Sequence, residues 1–106
     1  MSDAPGWTFL TNHTHVLLCI DQDPDVRLRD IAAAVGITER AAQKIVHDLA
    51  EGGYVEVTRV GRRNHYRLPG GGRFRHPLES GHEVADLLTL FRRSPRHQRS
   101  AASRPK

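Results

Sequence analysis

Two groups of side chains dominate the chemistry open to this chain: Arg40, Gln43 and Lys44 in one stretch, and Arg59, Arg62 and Arg63 in another. A guanidinium presents planar donors that match the two acceptors of a guanine edge or a phosphate, and a carboxamide matches adenine. An ammonium holds phosphate as a point charge. This is chemistry of recognition, aimed at a polyanion, with no bond-breaking machinery attached. His15 and Cys19, spaced i and i+4, are the single conceivable base and nucleophile pair. No third group orients that histidine and no oxyanion site is evident, so an enzyme is not expected. Seven histidines also raise a metal reading, with His13, His15 and Cys19, or His76, Glu79, His82, Glu83 and Asp86, as candidate ligands. One cysteine among apolar neighbours reads instead as a small core residue, and neither a metal nor a cofactor is expected.

The elements that must position these groups follow from periodicity. Ala42, Ile45, Val46 and Leu49 recur at helical spacing, which predicts a helix over 39–51 with Arg40, Gln43, Lys44 and His47 on the opposite face. Thr38 is placed to cap it, and Glu39 sits at the positive end of its dipole. Gly36 stops a preceding helix over 29–35, whose start lacks a capping residue although Asp30 favours its first turn, and Ile37 between the two should be buried. An earlier helix, capped by Thr11 or Asn12, is expected to run to about Asp21 and to bury Val16, Leu17 and Ile20. Asp21-Gln22-Asp23-Pro24 ends it, and residues 26–28 are expected to form a short strand. After Gly52-Gly53, residues 54–59 and 64–68 read as strands joined by a tip containing Gly61.

That order, three helices and then an arginine-tipped hairpin, is the plan of an α+β, mainly α, winged helix-turn-helix over residues 12–68. Residues 1–11 form an arm that docks through Trp7, Phe9 and Leu10, and residues 69–77, with Pro69-Gly70-Gly71-Gly72, form a linker. A last helix over 78–91 carries the apolar stripe Val84, Leu87, Leu88 and Phe91. A stripe of that kind needs a partner, which predicts a C-terminal dimerisation helix and a homodimer joined through the first and last helices. Residues 92–106 contain six Lys/Arg, two prolines and no acid, and are expected to be a disordered basic tail.

Length and charge narrow the function. With 106 residues there is room for one domain and none for a separate catalytic one. The net charge is +4, yet residues 1–91 hold ten Lys/Arg against twelve Asp/Glu, a balance of −2, so the tail supplies the excess. Binding to a polyanion must therefore rest on local patches. The longest apolar run, residues 16–20, is five residues, far short of the roughly 20 that span a bilayer, and no signal peptide is evident. The expectation is a cytoplasmic, nucleoid-associated protein that binds double-stranded DNA and regulates transcription. In this reading Thr38, Glu39, Arg40, Gln43, Lys44 and His47 face the major groove, and Arg59, Arg62, Arg63 and Asn64 face backbone or minor groove. Two alternatives stand beside it: a winged-helix module that binds protein, and a sensor-repressor responding to a metal or an unknown small molecule.

The segment resembles the small bacterial winged-helix regulators of the MarR and ArsR type. The residues that carry the resemblance are Gly53-Tyr54-Val55, Gly61-Arg62-Arg63 and Tyr66-Arg67-Leu68, within a match over about residues 12–68. The Arg75-His76-Pro77-Leu78-Glu79 segment and the Leu-rich helix after it are similar to small actinobacterial members. The resemblance implies a transcriptional regulator in which Thr38, Glu39, Arg40, Gln43 and Lys44 meet DNA and Arg62 and Arg63 form the wing contact. Residues 29–34, Arg-Asp-Ile-Ala-Ala-Ala, lack the thiolate pair that ArsR-type metal sensors often carry there, and the terminal helices are shorter than those of full-size MarR-type proteins.

Overall fold

Thr11 opens the first helix, its Oγ1 accepting the Thr14 amide at 3.5 Å, and α1 runs over Asn12–Gln22 in the computed structural model, which describes residues 6–92. Val16, Leu17 and Ile20 of α1 are buried. The helix ends where the Asp23 amide reaches the Cys19 carbonyl at 3.1 Å, and the Asp23 carboxylate then accepts the Asp25 amide at 3.0 Å. This local bond of an aspartate to its own backbone favours a turn over further helix.

Residues 26–28 do not form the strand expected from the sequence. The Val26 amide is spent on the Asp23 carbonyl at 3.0 Å, and Leu28 is already the first residue of α2, which covers Leu28–Val35. One backbone bond stands in for the strand: the Tyr66 amide donates to the Pro24 carbonyl at 2.9 Å. As the sequence implied, α2 begins without a side-chain cap, with Arg27 at the capping position.

Gly36 ends α2 at φ +87°, a left-handed conformation that glycine adopts without steric cost, and both its own amide and that of Ile37 donate to the Ala32 carbonyl. Ile37 is half-buried. Two residues after the glycine, α3 occupies Glu39–Glu51, the span expected from its periodicity. Its buried side is Ala42, Ile45, Val46 and Leu49, which meets Ile31 and Ala32 of α2 and the apolar face of α1 in one three-helix core. Helix α3 closes with the Gly53 amide on the Ala50 carbonyl and the Tyr54 amide on the Leu49 carbonyl, which satisfies carbonyls left without intrahelical partners.

The hairpin consists of β1 (Glu56–Val60) and β2 (Arg63–Arg67), antiparallel, with Val57 opposite Tyr66, Arg59 opposite Asn64 and Val60 opposite Arg63. The loop between them is Gly61-Arg62. Gly61 has φ +64°, the positive value that tight two-residue hairpin turns require at their first position. Val55 and Tyr66, each 2% exposed, anchor the hairpin to the core, while every residue of β1 is exposed. An ion pair between Arg67 and Glu56, 2.7 Å from Nη2 to Oε1, spans the open end of the ladder.

Residues from Pro69 onward form a second unit. Here the last helix is shorter than the expected 78–91: α4 covers Val84–Arg92. The residues before it are committed to turns, with the Glu79 amide on the His76 carbonyl and the His82 amide on the Glu79 carbonyl. Part of the expected linker is ordered by pairing, since Arg73 bridges Glu83 antiparallel and the Val84 amide donates to the Gly72 carbonyl at 2.8 Å. The apolar stripe of α4 also differs from expectation. Leu88 is buried within the chain and Val84, Leu87 and Phe91 are half-buried, so the exposed leucine of this helix is Leu90. The first five residues of the arm and residues 93–106 of the basic tail lie outside the described residues. Among the described residues, no helix is long and apolar enough to cross a membrane.

Candidate nucleic-acid interface

The first turn of α3 is fixed by Thr38, whose extended backbone and Oγ1, accepting the Ala41 amide at 3.0 Å, terminate the helix cleanly. From that start, Glu39, Arg40, Gln43, Lys44 and His47 all project from the exposed side. Arg40 and Gln43 make no hydrogen bond or ion pair among the described residues, so their donors are available to a ligand. Lys44 differs, because its Nζ reaches back 3.4 Å to Asp48 Oδ1 one turn along the helix. The other oxygen of Asp48 accepts from His13 Nε2 of α1 at 2.8 Å. The His13 hydrogen bond, with a smaller contribution from Lys44, holds the Asp48 carboxyl below the usual carboxylate range. This pairing joins residues 35 apart in the chain, and nothing in the sequence signalled it.

The wing arginines are not equivalent. Arg62, at the tip, is exposed and makes no side-chain hydrogen bond or ion pair among the described residues. Arg59 turns along the tip, its Nε donating to the Gly61 carbonyl at 3.4 Å. Arg63 points to the base instead, where Nη2 donates to the Asp25 carbonyl at 2.9 Å. Asn64 is half-buried and donates to the Tyr66 hydroxyl at 3.3 Å, which occupies the side chain that the sequence suggested for an external contact. His65 completes the attachment, with Nδ1 donating to Asp25 Oδ1 at 2.6 Å.

The structure brings these elements around one groove of about 450 Å³, bounded by the start of α2, Glu39 of α3 and the wing. Five arginines line it, namely Arg27, Arg29, Arg59, Arg62 and Arg63, against one carboxylate, Glu39. Arg27 and Arg29 were not singled out from the sequence. The available signal was their position on either side of the first residue of α2, where free amides and cationic side chains coincide. Of the remaining candidates, Val84, Leu87, Leu88 and Phe91 belong to α4 in the second unit. Among the described residues no cluster of three or more His, Cys, Asp or Glu is arranged to hold a metal ion.

No family model matches the sequence. Over 66 residues the chain is 38% identical to the HTH-type transcriptional regulator NsrR of Geobacillus kaustophilus (strain HTA426), a match that covers 56% of this chain and 44% of that protein. The chain thus spans less than half the length of the curated regulator it matches. Among solved structures it is similar to the homodimeric winged helix-turn-helix DNA-binding domain of a possible ArsR-family transcriptional regulator from Mycobacterium bovis. The TM-score is 0.54 at 26% identity, covering 78% of this chain and 66% of that one. Three packed helices, a glycine-stopped turn and a two-stranded hairpin tipped by Arg62, with this likeness, establish the fold of the chain as a winged helix-turn-helix.

Proposed function

We propose that this chain binds double-stranded DNA sequence-specifically as the DNA-binding module of a transcriptional regulator. Helix α3 enters the major groove and the wing lies on backbone or minor groove. The observation that carries the reading is the state of Arg40 and Gln43: exposed, without hydrogen-bond or ion-pair partners among the described residues, and held on a helix whose opposite face is buried in the core. Side chains of this kind have no intramolecular hydrogen bond to give up on binding, and their donors match the acceptors of purine edges. In this reading Thr38 and the free amides of the first turn of α3 hold a phosphate, Lys44 contributes charge while tethered to Asp48, and Arg62 is the forward contact of the wing. The HTH-type regulator and the winged helix-turn-helix DNA-binding domain similar to this chain support the DNA-binding assignment, and a cytoplasmic, nucleoid-associated location and a role outside enzyme catalysis go with that reading.

The functional unit we infer is a homodimer, as the similar Mycobacterium bovis domain is, with α4 contributing Val84, Leu87, Phe91 and the exposed Leu90 to the contact between copies. Two recognition helices then meet half-sites about one helical turn apart on a pseudo-palindrome. Selection of duplexes from a random library, repeated with Arg40→Ala, tests the assignment. A palindromic consensus that loses preference at one position per half-site in the variant supports it. Recovery of no consensus, with weak and salt-insensitive retention, would sink it and favour the protein-binding alternative. Light scattering at micromolar concentration checks the dimer, and a monomer there refutes that part.

A further inference from the structure

Two of the five arginines that line the groove come from a place with no role in the reading above. Arg27 occupies the capping position of α2 and Arg29 its first turn. Because Arg27 offers no side-chain acceptor, and the first bonds into the helix are made by the amides of Asp30 and Ile31, the Leu28 and Arg29 amides have no hydrogen-bond partner among the described residues at the positive end of the helix dipole. Across the groove stand Arg59, Arg62 and Arg63 of the wing. Glu39 lies in the same groove, yet makes no ion pair with any of them.

The two walls cannot simply spread to relieve repulsion between their guanidinium groups. Three bonds tie the wing to the turn that leads into α2: the Tyr66 amide on the Pro24 carbonyl at 2.9 Å, Arg63 Nη2 on the Asp25 carbonyl at 2.9 Å, and His65 Nδ1 on Asp25 Oδ1 at 2.6 Å. Like charges held together on a braced frame are stabilised by an anion with several oxygens, and guanidinium forks with backbone amides are the donors that fit phosphoryl groups best. We propose that this groove is a phosphoryl-binding site in which Arg27 and Arg29 grip from the helix side and Arg59 and Arg62 from the wing, with Glu39 limiting its affinity. Where the phosphoryl group belongs to a DNA backbone, this deepens the DNA-binding reading and rests on it. Where it belongs to a free phosphorylated anion, the site stands independently and its occupant competes with DNA for Arg62.

The test compares the wild-type chain with Arg27→Gln/Arg29→Gln and with Glu39→Gln, each first shown to be folded by its circular dichroism and melting transition. Inorganic tripolyphosphate, titrated calorimetrically at low salt, and a selected DNA duplex are the two probes. The double substitution weakens at least one of them about tenfold or more, while Glu39→Gln tightens tripolyphosphate binding severalfold, a gain that damage to the fold cannot produce. Loss confined to DNA assigns the groove to backbone phosphate, and loss confined to tripolyphosphate assigns it to a free anion. If the double substitution leaves both probes unchanged, or no probe binds the wild-type chain, the proposal is overturned. Failure of the broader reading looks different: the wild-type chain then ignores DNA, while tripolyphosphate still binds and still responds to Arg27, Arg29 and Glu39.

Discussion

Arg62 and Arg63 are adjacent in sequence and identical in type, yet they stand in different environments, and replacing each with alanine should separate those environments quantitatively. Arg62 is exposed at the hairpin tip with no partner in the described chain, whereas Arg63 donates to the Asp25 carbonyl at 2.9 Å. On the DNA-binding reading, loss of one phosphate contact removes about 0.9 from the slope of log affinity against log salt. Between about 50 and 200 mM salt that amounts to a factor of about 3.5 per wing, or about 12 for a dimer with both wings engaged. Arg62→Ala should therefore bind more weakly at low salt and lose less as salt rises. Arg63→Ala should leave the slope nearly unchanged and instead cost the fold about 0.5 to 1 kcal/mol, the scale of one exposed hydrogen bond. Fluorescence anisotropy on a labelled duplex across a salt series, with urea denaturation of each variant, measures both quantities. If Arg63→Ala flattens the salt dependence as much as Arg62→Ala while leaving stability intact, the distinction between a forward contact and a brace is wrong.

Three further outcomes follow from other parts of the molecule. Thr38→Ala removes the 3.0 Å cap of α3 and should cost about 1 kcal/mol in urea denaturation, whereas Thr11→Ala, whose cap bond is 3.5 Å, should cost less; the reverse order would refute the geometric ranking. Because the folded-state pKa of Asp48 is depressed by His13, its stabilising effect is present above the ordinary carboxylate range and lost as pH falls through the lowered value. Asp48→Asn should accordingly be less stable than wild type at neutral pH and converge with it in acid, which melting temperatures across pH will check. Burial pushes the Cys19 thiol up, so its reaction with a disulfide reagent at mildly alkaline pH should be slower in the folded protein than in urea, and equal rates would contradict that placement.

The parts of this fold that could be read from the sequence are those with local causes. The span of α3 follows from Ala42, Ile45, Val46 and Leu49 together with a threonine cap and a glycine stop, all within about one helix length. The hairpin turn follows from Gly61, although the strands are Glu56–Val60 and Arg63–Arg67 in place of 54–59 and 64–68; the first starts later because the Tyr54 amide is held by the bond that closes α3. Other features depended on partners the sequence does not place. Competition for the Val26 amide decided against a strand at 26–28, and turn bonds around His76 and Glu79 delayed α4 to Val84. In the candidate site, composition and spacing were sufficient to put Arg40, Gln43 and Arg62 on exposed surfaces of α3 and the hairpin tip. They could not distinguish Arg62 from Arg63, reveal that Asn64 is engaged by Tyr66, or bring Arg27 and Arg29 beside a wing distant in the sequence.

Asp25 receives the wing twice, through its carbonyl and through its carboxylate, and Pro24 receives it a third time. A two-stranded hairpin has little stiffness of its own, so its inclination to the helices is set where it is tied down. The turn over residues 23–26 consequently acts as a ruler for the separation between the tip of the hairpin and the exposed face of α3. Relatives that vary this turn in length or shape would change the spacing between two contacts while keeping every contacting side chain, and so acquire a different footprint without any change in the residues that form it.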